Sequence, residues 1–213
     1  MQLVAQSGTA YTPTLIVQYG GPWAENFYYM YTEVHDNAKL AHFTPHTILD
    51  QKTQRRGFWF RKEEFAFPQH AAQAAKILRA GGYVGIGSHG QLQGLGYHWE
   101  MWNLASGGAT PMEVLRSATI NSAKIIGVAQ DVGSIEPGKL ADLVILDKNP
   151  LDDIHNTNTI RWVMKNGEIF EGDTLNQVWP EQKPLAPFWW YNEKPSGGAL
   201  AAPSAEPAKP QKP

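Results

Sequence analysis

Cysteine is absent from the 213 residues. That removes disulfide frameworks, thiolate nucleophiles and Cys-ligated zinc. Charge of one sign is lacking too: 18 Lys and Arg stand against 20 Asp and Glu, a formal net charge of −2. No basic excess points to nucleic acid. No apolar run reaches the roughly 18 residues that a membrane-spanning helix needs. The opening MQLVAQSGTAYTPT carries neither a basic region nor a long apolar stretch. It is not read as a signal peptide and resembles the middle of a protein. The seven histidines form no H-x-H, H-x-x-E-H or H-E-x-x-H, so spacing alone defines no metal site.

What is present suits a packed domain. Apolar residues make up 42% and charged residues 18%, enough for a core and too little charge for global disorder. Residues 1–7 read as a helix end stopped by Gly8. Ala10 to Val17 reads as a β-branched strand, with Pro13 at its start or edge. Residues 23–67 are rich in aromatics, among them Trp23, Tyr28, Phe58, Trp59 and Phe65. One helix near 24–40 with irregular structure after it is expected there, as in a functional loop or lid.

The rest is punctuated more clearly. Pro68 to Ala80 predicts a helix with Ala71, Ala74, Ala75 and Leu78 on one face and Gly81-Gly82 as its stop. Tyr83 to Gly87 predicts a short strand running into a Gly-rich loop, and Tyr97 to Ala105 a short helix. Thr110-Pro111-Met112-Glu113 is a capping box opening a helix that Gly127 ends. Ala141 to Asp147 reads as a strand. Asn166-Gly167 between Arg161–Lys165 and Glu168–Glu171 is a type I′ hairpin signal. From Asn176 the chain is Trp/Pro-rich, and from Pro195 its composition predicts disorder. Strand–helix alternation suggests parallel βα units. Two such units cannot close a sheet or cover both its faces, so further strands are expected.

Chemistry has one leading candidate. His89 follows a strand at its C-terminal end, where α/β sheets and barrels bind ligands. The plainer reading is a loop histidine bonded to backbone. His98 and Glu100 are candidates for a pocket mouth; the plainer reading makes Trp99 and Trp102 core and leaves Glu100 solvated. His35, His42, His46 and His70 are expected to be structural or exposed. The Gly85 to Gly96 run lacks the phosphate-loop lysine and the dinucleotide spacing. The Trp and Tyr content also allows an aromatic-rich binding or interaction module.

Several strings carry a family resemblance: Gly85-Ile86-Gly87-Ser88-His89, Tyr97-His98-Trp99-Glu100, Ala118-Thr119-Ile120-Asn121-Ser122-Ala123, and above all Gly133-Ser134-Ile135-Glu136-Pro137-Gly138-Lys139-Leu140-Ala141-Asp142-Leu143-Val144-Ile145-Leu146-Asp147. Together they resemble the C-terminal part of amidohydrolase-superfamily enzymes of the imidazolonepropionase-like kind. The GSHGQLQGLGYHWEMW string is similar to the branch fused to an N-terminal TolB-like β-propeller, which suggests an extracytoplasmic enzyme. The resemblance implies an α/β fold: the last two βα units of a (β/α)8 TIM barrel, incomplete here, plus strands of a small β-sandwich. It assigns 1–128 to the barrel, 129–175 to the sandwich strands, 176–194 to a Trp/Pro-rich extension and 195–213 to a disordered tail.

The implied activity is hydrolysis of C–N bonds in small amide or dipeptide-like substrates by a metal-activated water. Zinc is the expected ion, with most ligands on a barrel half that would precede Met1. His89 stands where the family usually has a metal-binding Asp, and is expected to bind metal and act as base. Tyr97, His98 and Glu100 are expected to contact substrate. Two other readings follow. The fold is retained without catalysis as a degenerate or binding module, or a second polypeptide supplies the other half.

Overall fold

In the computed structural model of the chain, residues 1–18, 20–53, 60–90 and 92–192 are described. Phe58, Trp59 and the tail from Pro195 lie outside them. The chain folds as a helical body followed by an antiparallel sheet, an α/β architecture.

The body centres on two helices. α1 (Gln2–Gln6), α2 (Ala24–Tyr31), α3 (Ala38–Phe43) and α4 (His46–Thr53) precede α5 (Phe67–Arg79) and α6 (Leu95–Ser106). In α5, Pro68 occupies the first turn, and Phe67, Ala71, Ala74, Ala75 and Ile77 bury one face. The alanines let α6 approach closely. Gly107, just past α6, closes the contact: a Cβ there would lie 2.2 Å from the Ala71 carbonyl carbon. Its φ of −81° is open to any residue, so the demand for glycine is steric. Gly107→Ala is expected to destabilise the chain by about 3 kcal/mol, the upper range for overpacking against atoms that cannot yield. A denaturant midpoint equal to the native one would refute this.

The aromatic stretch is more ordered than its sequence suggests. In place of one helix over 24–40 there are α2, a 3-10 turn at Val34–Asp36, and α3; α4 then fills a region expected to be irregular. The cause is local capping. Thr32 is extended. The Glu33 carboxylate accepts His35 N–H at 3.1 Å and the Asn37 side chain accepts Leu40 N–H at 3.0 Å, each opening a new turn. Tyr28, Tyr29, Val34, Leu40 and Leu49 from these pieces close on Ile16, Leu92 and Trp99.

After α6 come α7 (Pro111–Arg116), a π-turn at Ser117–Asn121 and α8 (Ser122–Ile125). The capping box forms: Thr110 Oγ1 accepts Glu113 N–H at 3.3 Å, and Thr110 N–H donates to Glu113 Oε2 at 2.7 Å. Ser122 Oγ donates to the Ser117 carbonyl at 2.6 Å across the π-turn.

The expected strands at 10–17 and 83–87 do not form a ladder. Among the described residues they share one parallel bridge, Tyr11 with Val84. The reason lies in the first segment. Pro13 has no N–H, Thr14 turns left-handed at φ 49°, and Leu15–Val17 winds into a 3-10 turn. The later sheet does follow the sequence. β1 (Leu143–Leu146), β2 (Ile160–Lys165), β3 (Glu168–Glu171) and β4 (Gln177–Trp179) pair antiparallel in chain order. Asn166 and Gly167 turn β2 into β3 with φ of 49° and 83°, the type I′ geometry. β4 comes from the Trp/Pro-rich stretch.

Sheet and body meet at a 3-10 turn, Ile154–Asn158. Trp102 Nε1 donates to the Ile154 carbonyl and to Thr157 Oγ1, both at 3.1 Å. Lys39 Nζ donates to the Ile160 carbonyl at 3.1 Å and pairs with Asp173 at 2.8 Å.

Candidate functional site

The candidate site begins where the two bridged segments end. Tyr11 N–H donates to the Tyr83 carbonyl, and Gly85 N–H to the Tyr11 carbonyl, both at 3.0 Å. The segments therefore run side by side with their C-terminal ends together. Gly85 and Gly87 make that approach possible: a Cβ at Gly85 would lie 3.2 Å from Thr12 Oγ1, and one at Gly87 3.0 Å from Thr12 Cγ2. These glycines serve strand packing. Ile86 N–H turns to Ser122 Oγ at 3.4 Å, so the start of α8, bonded back across the π-turn to Ser117, braces the same end. Such bulges often sit at functional sites.

His89 follows on left-handed backbone, φ 57°, with Gly90 at φ 65°. The pair reverses the chain toward α6 and leaves the imidazole exposed. Lys52 Nζ donates to the Gly90 carbonyl at 2.8 Å.

The three other sequence candidates leave α6 toward different neighbours. Tyr97 is half-buried, and its hydroxyl donates to the Ala118 carbonyl at 3.0 Å. Burial raises its pKa. His98 Nδ1 lies 3.2 Å from Thr157 Oγ1. Burial, helped by the Lys39 charge, pushes its pKa down to about 4, so it is neutral at pH 7. It faces a cleft of about 360 Å³ between body and sheet, shared with Lys39, Gln93 and Asn158.

Glu100 is fully buried, at 0% exposure, where the plainer sequence reading left it solvated. Oε1 accepts Leu15 N–H at 2.6 Å and Oε2 accepts Ile16 N–H at 2.8 Å. Burial pushes its pKa up to about 7, against the opposing effect of those N–H groups. Trp99 beside it is core, as expected. The hydroxyl of Tyr97, the imidazole of His98 and the carboxylate of Glu100 thus engage three separate places: the Ala118 carbonyl, Thr157, and the Leu15–Ile16 backbone.

Sequence reasoning missed Thr12 and Ser122, which shape the strand ends, and Thr157, which gathers His98 and Trp102. The first two had no sequence signal. Glu100 was a sequence candidate, and its burial had a signal: it is the one Asp, Glu, Lys or Arg between Leu95 and Leu104.

Among the described residues no three His, Asp or Glu side chains converge to hold a metal ion. His35 and His46 both lean on Asp50, at 3.0 and 3.1 Å, and His155 on Asp153 at 2.7 Å. They act as caps and surface pairs. A single imidazole at His89 falls short of the three or four donors that a metal site requires, so the residues described do not by themselves fit the divalent metal that the sequence resemblance implies.

Comparison with known proteins bears on the family and the fold. Residues 23–170 match the amidohydrolase family. The imidazolonepropionase of Shouchella clausii is 45% identical over 78 residues, 35% of this chain and 17% of that protein. The ochratoxinase of Aspergillus niger is 36% identical over 70 residues, 31% of this chain and 15% of that protein. A solved Xaa-Pro dipeptidase superposes with a TM-score of 0.51 at 29% identity, over 80% of this chain and 36% of that one. Molinate hydrolase, at 21% identity and a TM-score of 0.51, shares the fold over 92% of this chain and 38% of its own. The chain thus spans a little over a third of these solved relatives. With residues 23–170 matched, more than half of its length, the chain belongs to the amidohydrolase family.

Proposed function

We propose that this chain is the C-terminal part of a hydrolase acting on C–N bonds, with small amide or dipeptide-like molecules as substrates. The observation that carries the reading is the parallel bridge at Tyr11 and Val84, with His89 at the end of the second segment, inside a chain of amidohydrolase sequence. The segments around Tyr11 and Val84 serve as barrel strands seven and eight. The sheet β1–β4 belongs to the small flanking sandwich, and the protein falls in the branch with a TolB-like propeller.

His89 is the reacting-end residue of this chain, as a ligand or a base. The other donors come from the barrel strands of the full-length protein, and imidazole-rich sets of this kind suit zinc. Tyr97 and Glu100 serve by position. His98 reaches substrate only through the cleft it shares with Lys39. The buried Tyr28, Tyr29, Phe65 and Phe67 pack on one another and on neighbouring rings, which favours this reading over an aromatic binding module.

The test uses the natural gene product carrying this chain, assayed for amine release from dipeptides and N-acyl amino acids. Hydrolysis that a chelator abolishes and zinc restores is expected. The isolated 213-residue chain is expected to bind no stoichiometric zinc and release no amine. Stoichiometric zinc and hydrolysis in the isolated chain, or an inactive gene product, would sink the reading.

A further inference from the structure

Glu100 stands out among the buried groups. It is anchored in the middle of α6, yet both its oxygens are spent on backbone 85 and 84 residues away. Those two N–H groups open the 3-10 turn that ends the first bridged segment. Thr14, immediately before them, holds a left-handed conformation at φ 49°, a strain that persists only where neighbours enforce it. The same helix leads back through the Gly-rich loop to His89. The carboxylate fork is therefore a strut between the helix that follows the second segment and the end of the first.

We infer that Glu100 is a positioning residue whose ionised carboxylate sets the turn at Thr14–Val17 in register with the Gly85–His89 segment. Its meaning for catalysis rests on the proposed hydrolase reading; the strut itself does not. Ionised, both oxygens accept. Protonated, one oxygen carries hydrogen and faces an N–H donor to donor, so one of the two bonds is lost and the turn loosens. Two phenols face it, Tyr11 from the bridged segment and Tyr28 from α2; burial first and the Glu100 charge second raise both, so both stay neutral near pH 7, while the Asn103 side chain on α6 itself favours the ionised carboxylate. Among the described residues, α5, α7 and the 154–158 turn contribute no charge to its titration.

Protonation of Glu100 falls near neutral pH, so the strut is expected to switch there. The sign for stability runs opposite to that of the strut. The folded pKa of about 7 stands above the ordinary 4.5, so the native state holds the proton more tightly than the unfolded chain. This group's contribution is most favourable below the unfolded value, falls as pH rises toward 7 and is level above it.

The experiment follows the backbone amide signals of Leu15 and Ile16 by NMR in the 213-residue chain between pH 5 and 9. Both are expected to move downfield together as Glu100 ionises, with one midpoint near 7. In Glu100→Gln both are expected to be flat, with about tenfold faster amide exchange at pH 8 from the lost bond. Val114 N–H, held by the Thr110 carbonyl, is the internal control. Flat signals in the native chain, or the same titration in Glu100→Gln, would overturn the inference. A second arm takes the pH profile of kcat in the intact gene product, where the native limb near pH 7 is expected to vanish in Glu100→Gln. Titrating amides in a gene product without hydrolytic activity would refute the hydrolase reading and leave the strut standing.

Discussion

Replacing Trp99 by alanine is expected to bring the helical body to the edge of unfolding at 25 °C. Among the described residues Trp99 is the largest fully buried side chain, at 0% exposure. Its ring stacks on Tyr28, with centroids 5.0 Å apart and planes 9° apart, and meets Tyr29 edge-on at 5.1 Å. Ile16 and Leu92 belong to the same cluster. Truncating a buried tryptophan costs about 3–5 kcal/mol in transfer and cavity terms, and each aromatic pair adds roughly 1 kcal/mol. A domain of this kind has a total stability of about 5–15 kcal/mol. The expected loss consumes a third or more of that. Guanidinium titration followed by circular dichroism measures it, with Trp189→Ala as control. Trp189 is 66% exposed, so its removal is expected to change stability by no more than about 0.5 kcal/mol. Equal midpoints for the two variants would refute the role given to Trp99.

The second large effect is on activity. His89→Asn in the intact gene product is expected to lower kcat by about 10²–10⁴-fold, the usual loss when a proton-transfer group is removed. Asparagine is the right replacement because the backbone at this position is left-handed, φ 57°. Asn tolerates that region better than most residues, whereas alanine would add strain of its own. The exposed side chain contributes little to the core, so stability should change by no more than about 0.5 kcal/mol. Steady-state rates on the best amide substrate, beside a thermal scan, separate the two effects. Activity within a few-fold of native would remove His89 from the proposed chemistry.

Local signals in the sequence proved reliable where neighbours in the chain make the structure. Pro68 and the alanine spacing set α5. Thr110, Pro111 and Glu113 opened α7, and Asn166-Gly167 turned the hairpin. In each case the side chain acts on backbone within a few residues, so its effect survives in any fold. The helix expected over 24–40 failed for a related reason. Glu33 and Asn37 cap new turns at short range, and each cap interrupts the helix.

The two strands show the other limit. Ala10–Val17 has strand composition, yet a strand exists only when partners take its N–H and C=O groups. After Tyr11 the partner for Leu15 and Ile16 is a helical carboxylate 85 and 84 residues on. No spacing rule connects those positions. The contrast between Glu100 and His98 has the same origin. One is driven toward protonation and the other away from it, because burial disfavours whichever form is charged. Sequence alone determined the apolar and polar pattern, the caps, the hairpin and the strings that mark an amidohydrolase. Only the tertiary structure decided which polar groups became buried and what they bonded there, because those outcomes depend on contacts between segments that the chain brings together only on folding.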